Sequence, residues 1–193
     1  MKKSKIAIVV TGGYYYNWVG GTKFYDWLGN FTSNNEDFDP YVISWRPPSE
    51  VPDKVKNQFT GQIKYRENEG CDWGCYNFFM NNLTQFENEA KCSYDYVIFC
   101  HDDILSEKSD WPNKMIEHIE KNKYCITSFN GRYIKEFYRQ YVNPPKNGVD
   151  YIKEVMSMCF CVKLDRRFVD NCPFVTIPGS IVDHQGDMGC GVF

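Results

Sequence analysis

A short apolar run that breaks into paired carboxylates constrains this chain more than any other segment: Tyr94-Asp95-Tyr96-Val97-Ile98-Phe99-Cys100-His101-Asp102-Asp103-Ile104. Tyr96 to Cys100 is rich in β-forming residues and too short for a helix, so it reads as a buried strand. Asp102 and Asp103 are poor strand residues and end it. Carboxylates at the C-terminal end of a central α/β strand sit where such folds bind ligands. Two adjacent anions repel unless a cation, a donor or a proton intervenes. A hard divalent ion carrying a phosphate oxygen, Mg2+ or Mn2+, meets that need through oxygen ligands. The plainer alternative is that the pair caps a helix beginning near Ser106.

The totals bound what surrounds this strand. A chain of 193 residues, 42% hydrophobic and 17% aromatic, is expected to form a single domain, 1–193, with a core that needs no crosslinks. A formal net charge of -3 argues against nucleic acid as a partner, because no broad basic surface is available. One nucleotide held locally remains compatible. The nine cysteines are odd in number and irregular in spacing. Cys71 and Cys75 are separated by three intervening residues and Cys159 and Cys161 by one, so no paired CxxC framework for structural zinc exists. Reduced, buried thiols in a cytoplasmic setting are expected. The apolar run Ile6 to Val10 is too short for a signal or a membrane span, and no transmembrane segment is expected.

Read in order, the chain alternates strands with helices. Ile6 to Val10 is a first buried strand running into Thr11-Gly12-Gly13, and Lys23 to Phe31 is a short helix. Tyr41 to Trp45 and Gln62 to Tyr65 are further strands, and Gly74 to Ala90 is one helix with an apolar stripe. After the carboxylate-tipped strand come a helix over Trp111 to Lys121 and strands over Tyr124 to Phe129 and Val155 to Leu164. A short helix is expected to begin at Arg166 to Asp170. This alternation predicts an α/β fold, a mostly parallel central sheet with helices on both faces.

Three segments add chemistry to the strand tip. Glu67-Asn68-Glu69-Gly70-Cys71-Asp72-Trp73-Gly74 offers glycines for close backbone approach, with Asn68 and Asp72 to bond a ribose or base edge. Taken alone it is also an ordinary turn. Asp165-Arg166-Arg167-Phe168 places two arginines where they could face a diphosphate or simply be solvated. Val182-Asp183-His184-Gln185-Gly186-Asp187 gathers a histidine and two carboxylates in a glycine loop, the materials for a metal ligand and a base.

In this order the pieces resemble family 2 type glycosyltransferases of the GT-A, Rossmann-like fold, from the first strand to about Asp187. Asn68, Gly70 and Gly74 are similar to that family's N-x-G-x-x-x-G loop, and Tyr96 to Ile104 to the strand that ends in its D-x-D motif. Met156 to Phe168 is similar to a later strand with its R-R-x-F turn, and Gly186-Asp187 to its E-D element. The resemblance implies that Asp103 is the D-x-D metal ligand, with His101 standing where the first Asp usually lies and Asp102 a possible substitute. It implies His184 as a late metal ligand and Asp187 as catalytic base, with Thr11 and Gly12 meeting the nucleoside. The acid usual after the second strand is replaced by Ser44-Trp45-Arg46, so base recognition must differ.

The expected function is therefore metal-dependent transfer of a sugar from a nucleoside-diphosphate sugar to a glycan or other hydroxyl acceptor, with inversion. Mn2+ or Mg2+ would be the cofactor. Two alternatives use the same parts. One is a binding domain without chemistry, to which the aromatics Tyr14 to Tyr16 and Trp18 could contribute stacking faces. The other is a nucleotidyltransferase, for which the first loop lacks the arginine of G-x-G-T-R. The chain ends six residues after Asp187, where proteins of this resemblance continue into acceptor-binding helices.

Overall fold

The computed structural model describes residues 4–12, 23–68, 71–102, 109–123, 126–128, 132–133, 153–154 and 159–164. Its first four long or central strands are β1 (Ile6–Gly12), β2 (Phe38–Ser44), β3 (Ile63–Tyr65) and β4 (Tyr96–His101). These four pair in parallel, in the spatial order β3-β2-β1-β4. Two more strands, β5 (Ile126–Ser128) and β8 (Cys159–Lys163), extend the sheet beyond β4. β8 runs antiparallel to both of its neighbours, β4 and β5. A separate two-stranded ribbon joins β6 (Arg132–Tyr133) to β7 (Lys153–Glu154). The mostly parallel α/β sheet expected from the alternating pattern is present.

Apolar continuity explains the central strands. All seven residues of β1 are buried, as parallel strands covered on both faces require. β2 carries Pro40 beside Ile8 of β1, although proline cannot donate to a ladder. The register accounts for it. β3 pairs with β2 only over Val42 to Ser44, and Val42 N donates to Gln62 O at 3.0 Å on that side. Pro40 lies short of that pairing, where β2 is an edge.

Helices cover both faces. On one lie α1 (Lys23–Asn34), α2 (Asp53–Gln58) and α5 (Trp111–Asn122). Phe24, Tyr25, Leu28 and Phe31 of α1 and Trp111, Met115 and Ile119 of α5 recur at helical spacing and pack on Ile8, Val10, Ile98 and Cys100. On the other face lie α3 (Cys71–Asn81) and α4 (Leu83–Ala90), whose Tyr76, Phe79 and Phe86 meet Val9, Val97 and Phe99. The alternation of side chains along β1 and β4 thus splits the core into two layers.

One expectation is corrected. The single helix over Gly74 to Ala90 is two, starting earlier at Cys71 and broken at Asn82. The Asn82 side-chain amide donates to Phe78 O at 2.7 Å, competing with the helical ladder. Of the strand expected over Val155 to Leu164, β8 covers Cys159–Lys163, and of that expected over Tyr124 to Phe129, β5 covers Ile126–Ser128; residues 155–158, 124–125 and 129 lie outside the described residues. The helix expected at Arg166 to Asp170 lies outside the described residues.

Cys75, Cys100, Cys159 and Cys161 are buried thiols, and Cys92 is a half-buried one. Burial pushes the thiols of Cys159 and Cys161 above the ordinary range. That matches the reading of these cysteines as small hydrophobes. Among the described residues no helix is long and apolar enough to cross a membrane.

Candidate functional site

The strand order places a topological switch point between β1 and β4. The chain steps outward from β1 to β2 to β3, then returns to β4 on the opposite side of β1. In open α/β sheets ligands bind at such a crevice, outside the carboxyl ends of the strands. Thr11 and Gly12 end β1 there, and His101 ends β4 directly beside Thr11 in the register. Gly12 is beside Ser44 of β2, and Ser44 beside Tyr65 of β3. Ser44 Oγ donates to Gly12 O at 2.8 Å and accepts from Arg46 N at 3.1 Å, tying the rim together.

The tip of β4 is held from both faces. His101 follows Val97 and Phe99 on the α3 side, and its Nε2 lies 3.3 Å from Asp72 Oδ2 in the first turn of α3. The imidazole is also 6.4 Å from the Tyr76 ring, centroid to centroid. Asp102 follows Ile98 and Cys100 on the α1 side. It is 5% exposed, and the buried Tyr25 hydroxyl donates to its Oδ2 at 2.8 Å. Adjacent residues therefore serve opposite layers, as strand alternation dictates.

At this end of the α3 layer Thr11 Oγ1 and Asp72 Oδ1 are buried with no hydrogen-bond partner among the described residues. Thr11 is 1% exposed and Asp72 5%. Buried polar groups are nearly always satisfied, so each such atom calls for a water or ligand group. They fall beside the His101–Asp72 contact, not in the middle of the sheet.

Beside the switch point, at the ends of β2 and β3, an open pocket of about 440 Å³ is lined by Trp45, Arg46, Pro47, Pro48, Tyr65, Arg66 and Glu67. Arg46 lies over the Trp45 ring at 4.8 Å and pairs with Glu50 at 3.0 Å. Tyr65 is the exposed large hydrophobic side chain among the described residues, at 41%. This combination of aromatic faces, guanidinium groups and one carboxylate suits a planar, hydrogen-bonding ring. The sequence pointed here only by the missing acid after β2; the pocket itself depends on β2 and β3 being neighbours.

Of the residues singled out from sequence, the structure brings Thr11, Gly12, Asp72, His101 and Asp102 to one rim. Asn68 is exposed on the segment between β3 and α3. Asp103, His184, Asp187, Tyr14 to Tyr16, Trp18, Arg166 and Arg167 lie outside the described residues. Among the described residues no three His, Cys, Asp or Glu side chains gather as a metal ion would require. Asp102 and His101 point into different layers, so these two cannot form the core of one. The described residues alone do not fit Mn2+ or Mg2+.

No family model matches the chain, nor does any curated protein. Solved structures do. The chain is similar to a 4-diphosphocytidyl-2C-methyl-D-erythritol synthase from Anaerococcus prevotii, at 14% identity over 83% of this chain and 70% of that one, with a TM-score of 0.51. A second 4-diphosphocytidyl-2C-methyl-D-erythritol synthase matches at 13% identity over 97% and 85%, TM-score 0.50. A CMP:2-keto-3-deoxy-manno-octonic acid synthetase complexed with CTP matches at 12% over 87% and 77%, TM-score 0.49. At such identities the likeness to the two synthases shows the fold alone, a Rossmann-like α/β sheet. Neither bears the name of the family 2 glycosyltransferases that the motifs resemble.

Proposed function

We propose that this chain is a nucleotide-dependent transferase whose nucleotide lies along the C-terminal rim of the sheet. One observation carries the reading. The switch point between β1 and β4 gathers Thr11, Gly12, Asp72, His101 and Asp102 beside an aromatic, arginine-bearing pocket at the ends of β2 and β3. The base would stack on Tyr65 or Trp45, and the ribose and phosphates would run toward β4 past Thr11 and Gly12. Asn68 and Asp72 would orient the nucleoside.

Two chemistries fit such a rim. In nucleotidyl transfer an acceptor oxygen attacks the α-phosphorus of a triphosphate and pyrophosphate leaves. In sugar transfer it attacks the anomeric carbon and a nucleoside diphosphate leaves. The likeness to the two synthases favours the first. A specific observation supports the second: residues 13–22 contain no lysine or arginine to meet a triphosphate. Under that second reading Asp187 would take the acceptor's proton. A divalent ion would depend on Asp103, with His184, since the described residues do not form a site without them.

The test is product identity. The protein is incubated with nucleoside triphosphates plus sugar phosphates, and separately with nucleoside-diphosphate sugars plus hydroxyl acceptors, each with Mn2+ or with chelator. Pyrophosphate release establishes nucleotidyl transfer, and nucleoside diphosphate release establishes sugar transfer. Binding without either product makes the chain a nucleotide-binding domain. The proposal is defeated if the protein neither binds nor turns over any nucleotide. Asp103→Ala should abolish any metal-dependent turnover; an unchanged rate removes Asp103 from the reaction.

A further inference from the structure

We propose that Tyr25 is a positioning residue for the tip of β4, acting through Asp102. Tyr25 lies in the first turn of α1, the first described helix after β1, at the same rim as His101. Its ring is fixed, with Phe24 edge-on at 5.6 Å and Phe59 at 5.9 Å. Only 1% of Tyr25 is exposed, and its hydroxyl reaches Asp102 Oδ2 at 2.8 Å across 77 residues of sequence.

A carboxylate at this depth loses solvation that its hydrogen bonds must offset. Stability alone is served as well by an apolar or amide residue of similar size. What the Tyr25–Asp102 bond adds is direction: it fixes the backbone of β4 where the strand leaves the sheet toward Asp103. The contact of His101 with Asp72 holds the neighbouring residue from the other layer. With both in place the strand end has no freedom to rotate, and a misplacement of about 1 Å at a reacting centre costs on the order of 100-fold in rate. This inference rests on the nucleotide-dependent reading for its catalytic consequence, but its structural part does not.

The experiment compares Tyr25→Phe with Tyr94→Phe, which removes another buried phenol at the opposite end of β4. In the nucleotide-free protein, Tyr25→Phe should accelerate amide exchange at His101 and Asp102 more than at Val97 and Ile98, and Tyr94→Phe should not single out that end of the strand. In whichever transfer reaction the protein performs, Tyr25→Phe should lower kcat about tenfold or more with KM within about twofold. Tyr94→Phe should leave both unchanged. Asp102→Leu, which removes the acceptor of the phenol's hydrogen bond, should accelerate exchange at His101 as Tyr25→Phe does. Equal kcat in the two phenylalanine variants, or unaltered exchange at His101 and Asp102, overturns the proposal. A wild-type protein that turns over no nucleotide refutes the functional reading, and the exchange comparison still decides the positioning role.

Discussion

His101 Nε2 stands 3.3 Å from Asp72 Oδ2, joining the last residue of β4 to the first turn of α3 across the α3 layer. The side chains are 12% and 7% exposed, so the pair is held largely out of water. The second oxygen of Asp72 has no hydrogen-bond partner among the described residues. One carboxylate thus serves the fold with one oxygen and leaves the other for a water or a ligand group. Asp72→Ala should cost about 1–3 kcal/mol in stability, the usual range for a buried polar partner removed. Nucleotide affinity should fall by about tenfold if the free oxygen bonds the nucleoside. Urea denaturation and calorimetric titration check the two effects separately. A destabilised variant with unchanged affinity would assign Asp72 to folding alone.

The opposite end of the sheet carries a purely structural network with a pH signature. Tyr94 Oη donates to Asp39 Oδ2 at 2.9 Å and lies 2.8 Å from Tyr41 Oη. Burial first, then the Tyr41 phenol and the Asp39 carboxylate, push the Tyr94 phenol far above its ordinary value near 10. A raised folded-state pKa favours the protonated form in the fold. Its contribution is complete below about pH 10, where the unfolded phenol titrates, and is lost as pH climbs beyond. Denaturation midpoints should therefore hold to about pH 10 and then fall steeply. Tyr94→Phe should lower stability at neutral pH by about 1–3 kcal/mol and make the alkaline decline shallower. An alkaline profile identical in the variant and the parent contradicts this account.

How far the sequence showed these features follows from their physics. Buried parallel strands are continuous apolar runs, so β1, β2 and β4 were legible, and their C-terminal ends named Thr11, Gly12, His101 and Asp102 as rim residues. The direction of β8 was not legible, because an apolar run is the same forward and backward. The break at Asn82 was hidden inside the stripe of Tyr76, Phe79, Leu83 and Phe86, since a side-chain amide bonding its own helix leaves that period intact. α2 escaped because only Val55 of its six residues is buried. Nothing in the helical spacing over Lys23 to Phe31 singles out Tyr25. Its hydroxyl matters only once the fold brings Asp102 to it, and no local pattern carries that. The pocket at Trp45 and Tyr65 likewise joins segments that are separate in sequence.

Gly29 tests the packing of α1 on α2. A Cβ built there would meet Gln58 Nε2 at 1.7 Å and Cδ at 2.7 Å. Both atoms are the far end of a flexible side chain, which can swing aside at a cost of about 0.5–1.5 kcal/mol. Replacing a mid-helix glycine by alanine returns about 0.8–1.0 kcal/mol of helix propensity. These offset, so Gly29→Ala should change stability by less than about 1 kcal/mol, read from urea denaturation. A larger loss would show that Gln58 is fixed in place by its surroundings.

Tyr65 separates binding from folding most cleanly. It is 41% exposed, and it lines the pocket at the ends of β2 and β3. Truncating so exposed a side chain should alter stability by no more than about 0.5 kcal/mol. Stacking of a base on an aromatic ring is worth about 1–3 kcal/mol, or roughly 5- to 150-fold in Kd. Tyr65→Ala should therefore weaken nucleotide binding by that factor with the melting temperature nearly unchanged, and Tyr65→Phe should retain affinity because the ring persists. Titration calorimetry with the nucleotide that the protein turns over measures both. If Tyr65→Ala binds as tightly as the parent, the base does not stack on this ring, and Trp45, on the far wall with Arg46 over its face, becomes the surface to truncate next.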